Sequence, residues 1–261
     1  MRRVSLLFGY VIFTAIAAGQ SAAERAAFID QVRQQALAYN ENLPNYICTQ
    51  ETRRSATSVK TGIDDWKPLD TFTIRLSYFD KHEDYRVVQV NGKPTGKTMK
   101  QLGGWNTYGD FGSMLHDVFK EKSQTNFEWD RQETWNGRTV AVLKYHIDRA
   151  HSDFHSTAHG LLHSSSTVWA VAGTIYADPE THQVMRLTVD SVDVPANVLL
   201  REFHIAMEYD FQRIGDREYL LPARSVSVLV SKSERRKSET RFTEYRKFSA
   251  EAAITFGGEA K

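Results

Sequence analysis

Phe127-Glu128-Trp129-Asp130-Arg131-Gln132-Glu133-Thr134-Trp135-Asn136-Gly137-Arg138-Thr139-Val140-Ala141-Val142-Leu143-Lys144-Tyr145-His146-Ile147-Asp148 holds two runs that alternate between apolar and polar residues, joined at Asn-Gly. Successive side chains of a strand point to opposite faces, so each run presents one apolar face. Asn-Gly accepts the two left-handed conformations of a tight hairpin turn, and between two alternating runs it is the strongest short hairpin signal. Antiparallel strands are therefore predicted over 127–135 and 138–148.

The same grammar extends in both directions. Val168 to Ala177 turns at Asp178-Pro179-Glu180-Thr181-His182 into Gln183 to Val192. Glu202 to Arg213 turns at Gly215-Asp216 into Glu218 to Ser231, and Ser238 to Phe248 closes the series. Upstream, Tyr46 to Arg54 alternates, and Thr71 to Phe79 pairs with Tyr85 to Val90 across Asp80-Lys81-His82-Glu83. Asn91-Gly92-Lys93-Pro94-Thr95-Gly96 then breaks the sheet. Two segments have a helical period. Glu24 to about Asn42 places Ile29, Val32, Ala36, Leu37 and Tyr39 on one broad face, and Leu43-Pro44 ends it. Ser113 to Lys120 carries Met114, Leu115, Val118 and Phe119, either as an ordinary core helix or as a plug over a ligand cavity.

Met1-Arg2-Arg3 and the apolar run Val4 to Ala18 read as an export signal over residues 1–23, cleaved after Ala17 or Ala23. The mature chain is expected to lack a transmembrane segment and to be periplasmic or secreted. Without Arg2 and Arg3 the chain keeps 31 basic and 32 acidic side chains, and the two signs are interspersed. That balance argues against a nucleic-acid partner. The mature length, about 240 residues, suits one all-β core, so 24–261 is taken as a single domain.

Cys48 is the lone cysteine, which excludes an intrachain disulfide and leaves packing to hold the fold. His151, His155, His159 and His163 are spaced four apart, which groups them on one face of either a helix or a strand. Imidazole suits zinc, yet the stretch Ala150 to Ser166 is rich in Ser and contains Gly160, as a solvated loop would be. Zinc at these histidines is thus one reading and a plain loop the other; no other cofactor is expected. G-x-S-x-G, H-E-x-x-H and S-x-x-K with its companion motifs are missing, so no catalytic residue is assigned. The run Lys232 to Lys237 reads as a solvated hairpin tip or a contact with anionic headgroups.

The hairpin Thr174-Ile175-Tyr176-Ala177-Asp178-Pro179-Glu180-Thr181-His182-Gln183-Val184-Met185-Arg186-Leu187 resembles one in the periplasmic lipoprotein-carrier superfamily of LolA, LolB and RseB, where a strand ends in an aspartate-proline turn and returns with an apolar-arginine-apolar pattern. The order of elements is similar from Glu24 to Phe256. The resemblance implies an α+β, mostly β fold: a curved antiparallel half-barrel of about nine or ten strands, with an N-terminal helix and a central plug helix. It also implies a non-enzymatic protein holding a lipid or lipoprotein acyl chain. Phe72, Ile74 and Leu76 share one strand face, as do Phe203, Ile205 and Met207, and these would form the cavity walls. Met114, Leu115, Val118 and Phe119 would be the plug. The alternatives are a metal-binding envelope protein and a stress sensor with an envelope-protein partner.

Overall fold

The computed structural model describes residues 21–61, 65–102, 112–159, 164–195 and 198–248. Of the export segment expected over 1–23, residues 1–20 lie outside them. Helix α1 (Ala22–Ala38) begins two residues earlier than its period suggested, because Ser21 caps it. The Ser21 Oγ accepts from Glu24 N, and Glu24 reaches back to Ser21 N at 2.7 Å, a reciprocal capping box. Burial falls on Phe28, Val32 and Ala36. Leu37, assigned to the apolar face from sequence, is 38% exposed. Ile29 and Tyr39 are partly buried and pack against the same core, so of the five residues assigned to the face Leu37 alone lies off it.

Thirteen strands follow among the described residues: β1 (Tyr46–Ser58), β2 (Lys67–Phe79), β3 (His82–Val90), β4 (Lys93–Pro94), β5 (Asn126–Trp135), β6 (Arg138–Ile147), β7 (His155–His159), β8 (Ser164–Val168), β9 (Ala170–Ala177), β10 (Val184–Val192), β11 (Leu200–Ile214), β12 (Arg217–Ser231) and β13 (Glu234–Lys247). Two short helices, α2 (Met99–Leu102) and α3 (Ser113–Phe119), lie between β4 and β5. Eleven strands form one antiparallel sheet in the order β4-β3-β2-β1-β13-β12-β11-β10-β9-β6-β5. The ends, β4 and β5, do not pair with each other, so the curved sheet stays open. The expected mostly-β architecture with an N-terminal helix and a central helix is what the chain adopts.

The turns are those the sequence dictates. Asn136 and Gly137 both have positive φ (49° and 77°), as do Asn91 and Gly92 (51° and 74°). Asp80 and Lys81 adopt the same left-handed pair without glycine, and the hairpin there is two residues long rather than four. Asp178 Oδ1 accepts from Glu180 N and Thr181 N at 2.9 and 2.8 Å, closing the Asp-Pro turn.

Two stretches differ from expectation. Residues 155–159 and 164–166, read as loop, belong with Thr167 and Val168 to a separate two-stranded ribbon; Ser and Thr supply backbone pairing without an apolar period to announce it. β13 starts at Glu234, not Ser238. Arg235 and Lys237, taken for a solvated tip, lie over the Trp66 ring at 5.2 and 5.0 Å, so the charged run is a strand whose stems cover an aromatic surface.

The main core fills the concave side, where α1 and α3 pack on the sheet. At Gly173 two strands pack closely, backbone against backbone. Tyr145 crosses β9 to donate its hydroxyl to Thr188 O at 2.7 Å, and a Cβ on Gly173 would stand 2.0 Å from that carbonyl oxygen and 2.8 Å from the tyrosine ring. Gly173→Ala is expected to cost about 2–3 kcal/mol in urea unfolding, whereas Tyr145→Phe, which removes one hydrogen bond, costs about 1 kcal/mol. A Gly173→Ala protein as stable as the parent would contradict this packing.

Candidate functional site

The concave face is built by register. Phe72 lies opposite Thr52, Thr52 opposite Thr240, Thr240 opposite Ser225, and Ser225 opposite Met207. Residues opposite each other in adjacent strands point to the same face. The expected wall residues therefore share one face, but in two groups. Phe72 and Ile74 form a small cluster with Val87, against which Met99 and Leu102 of α2 pack. Leu76, Phe203 and Met207 belong to the main core, and Ile205 packs at its margin. Phe72 and Met207 stand four strand spacings apart, roughly 19 Å.

Between the two groups runs a polar strip that sequence reasoning missed. It comprises Gln50 and Thr52 of β1, Thr240 of β13, and Ser225 and Ser227 of β12, all buried. Thr52 and Thr240 join their hydroxyls at 2.9 Å, and Gln50 Nε2 donates weakly to Thr52 Oγ1 at 3.4 Å. Next to them Arg54 grips Asp70 through Nε and Nη2 at 2.7 and 2.6 Å, stacks over Phe72 at 5.0 Å, and reaches Leu102 O at 3.4 Å. The sequence signal misleads here. Ser225-Val226-Ser227-Val228-Leu229-Val230 invites the valines inward, yet the pairing of Ser225 with Met207 turns the serines into the concavity.

The upper end of the strip is aromatic. A register irregularity around Glu244 (φ 56°) turns Tyr245 toward Tyr46, ring centroids 5.4 Å apart. Tyr46 stacks on Tyr78, and Tyr39 meets Tyr209 edge-on. Tyr39 and Tyr245 donate their hydroxyls to Leu220 O and Pro222 O. Cys48 sits among these rings, where burial pushes its thiol up to about 12, against a smaller opposing effect of a hydrogen bond with Tyr245. It is an inert core residue.

Helix α3 covers the apolar part of the concavity. Met114, Leu115, Val118 and Phe119 are all buried, and Phe119 stacks on Phe127 at 5.1 Å. Alongside it a crevice of about 120 Å³ lies between Ala36 of α1, Tyr39 just after it, Leu115, Val184 and Phe211. Polar contacts hold the end of α3: Ser123 Oγ donates to Asp117 O at 2.6 Å, Thr125 Oγ1 donates to Val118 O, and Lys120 bridges Asp117 and Asp153.

His151 is half-buried in a single turn of 3-10 helix, and His155 opens β7 with its Nδ1 2.9 Å from Asp153 O. His159 ends β7 opposite Ser164, and His163 lies outside the described residues. Among the described residues no three His, Cys, Asp or Glu side chains are grouped to hold a metal. No helix among them is long and apolar enough to cross a membrane.

No family model matches the chain, and no curated protein matches it in sequence. Solved structures similar to it include a LolA superfamily protein from Nitrosomonas europaea, 10% identical, with 86% of this chain and 96% of that one covered and a TM-score of 0.42. A putative outer membrane lipoprotein-sorting protein domain from Vibrio parahaemolyticus is 11% identical over 84% of this chain and 92% of that one, TM-score 0.37. A DUF1329 family protein from Desulfovibrio piger is 8% identical over 88% and 96%, TM-score 0.41. The likeness is one of fold.

The clamp on α3 has a pH signature. Lys120, then Lys122, hold the Asp153 carboxyl below the usual carboxylate range. Burial works against the Lys120 charge, but Asp117 and Asp153 outweigh it and raise its pKa. A carboxyl lowered in the folded state stabilises above the ordinary aspartate value of about 3.9 and stops doing so as pH falls through its folded value. Asp153→Asn is expected to lower stability by about 0.5 kcal/mol at pH 7 and by nothing measurable once both states are protonated at strongly acid pH. Equal urea midpoints for variant and parent at pH 7 would contradict the clamp.

Proposed function

We propose that the chain is an exported, non-enzymatic binding protein that holds the acyl chain of a lipid or lipoprotein against the concave face of its sheet. The observation that carries this reading is the construction of the main core. The apolar wall of an open sheet is sealed by two helices, and one of them, α3, has only seven residues. Most sheets of this size bury such a face beneath a second sheet or a layer of long helices. Among the described residues the helical cover is small, and its end is fastened by polar contacts.

The crevice beside Leu115, about 120 Å³, is smaller than the roughly 300–1,000 Å³ of ordinary ligand pockets. A chain enters by displacing α3, exchanging the contacts of Met114, Leu115, Val118 and Phe119 for its own methylenes. Each buried methylene is worth about 0.8 kcal/mol, so a long acyl chain suffices to replace four side chains. The Met1 to Ala18 segment takes the protein to the periplasm or the medium, where such ligands occur.

Organic extraction and mass spectrometry of protein purified without detergent is expected to release an acyl amphiphile near one per chain. After delipidation, the uncharged probe N-phenyl-1-naphthylamine is expected to brighten on binding, and Leu115→Ala to bind it more tightly while losing about 2–5 kcal/mol of stability. Folded protein that yields no lipid and leaves the probe dark would overturn the proposal.

A further inference from the structure

The polar strip is out of place on an acyl-binding face. Gln50, Thr52, Ser225, Ser227 and Thr240 are 6, 4, 6, 6 and 8% exposed, in the middle of the concavity, with apolar clusters on both sides. Positions where a sequence breaks the inward-apolar rule are the ones expected to carry function. The hydrogen bonding of the strip is incomplete. Gln50 Oε1 is buried and accepts no hydrogen bond, although its Nε2 is used. A buried acceptor left without a donor is destabilising, and a group that brings one recovers that loss.

Charge decides what kind of group fits. Arg54, the cation beside the strip, is engaged by both oxygens of Asp70, and Arg236, on the same face, by Glu234 at 2.5 Å. Among the described residues both cations on this face are thus already paired, so an anion placed here would be buried at a cost. An uncharged group with O–H or N–H donors meets hydroxyls that donate or accept and one acceptor that is vacant.

We propose that the strip seats the uncharged, hydroxyl- or amide-bearing head of an amphiphile, with Gln50 Oε1 accepting a hydrogen bond from that head while the chain lies along the apolar wall beneath α3. This rests on the reading of the concave face as a chain-binding surface, and it names the class of ligand: neutral-headed rather than anionic.

The test is displacement of N-phenyl-1-naphthylamine from the delipidated protein by monooleoylglycerol and by oleoyl lysophosphatidate, which share a chain and differ in charge. Monooleoylglycerol is expected to bind about tenfold more tightly, and Gln50→Met to weaken it about tenfold, the effect of one buried hydrogen bond. Probe affinity is expected to stay within about twofold of the parent, and the urea midpoint to hold or rise because an orphaned acceptor has gone. Ser227→Ala, a smaller change, is expected to weaken monooleoylglycerol about threefold by the same reasoning. Equal affinities for the two lipids, or variants that bind monooleoylglycerol as the parent does, would overturn the inference alone. A lowered midpoint in Gln50→Met would also overturn it, by showing Gln50 to be structural. Failure of the parent to bind the probe would remove the chain-binding reading and the inference together.

Discussion

The pairing of β1 with β13 is the constraint on which the rest of the structure depends. β1 to β4 form one meander and β5, β6 and β9 to β13 another, and the twelve registered pairs from Tyr46 opposite Lys247 to Ser58 opposite Glu234 make them one sheet. The contact is far in sequence, with Thr52 and Thr240 separated by 188 positions. Closing so long a loop is entropically costly, and the return comes only when many pairs form together. The same pairing fixes which residues enter the concavity along the seam, since a slip of one would turn Gln50 and Thr52 outward.

Much of this was legible in the residues. The hairpins at Asn136-Gly137, at Asp178-Pro179 and at Gly215-Asp216 stand where turn chemistry requires them, and the i, i+4 run of Val32 and Ala36 marks the helix face. Local chemistry settled those features. What escaped reading depends on partners distant in sequence. Ser225 and Ser227 face inward because of their register with β11, and no property of the pattern Ser-Val-Ser-Val carries that register. The split of Phe72 and Ile74 from Met207 likewise follows from three strands interposed between them, an outcome of β1 meeting β13. The ribbon at His155 formed without an apolar period, and β13 extended through Arg235 and Lys237 because Trp66 receives their stems.

Placing the polar strip at the seam gives the concave face two chemistries. On the side of β5, β6 and β9 to β11 it is apolar and covered by α1 and α3; over the middle of β1, β13 and β12 it carries buried hydroxyls and an amide beside Phe242, and Arg54 and Arg236 there are each paired with a carboxylate. An amphiphile has the same two parts. Tyr39 and Tyr245 at the upper end donate to main-chain carbonyls of β12 and tie the end of α1 and the seam to that strand. On the proposed reading the strands are the firm element and the short helix the replaceable one.

Amide hydrogen exchange, resolved by element, tests that division directly. If α3 is a replaceable cover, the Ser113–Phe119 amides exchange through a local opening, several kcal/mol easier than the global unfolding that governs β10 and β11, and an added acyl amphiphile changes their protection while leaving those strands as they were. Protection of α3 equal to that of β10 and β11, indifferent to such a ligand, would show the helix to be permanent core and contradict the account.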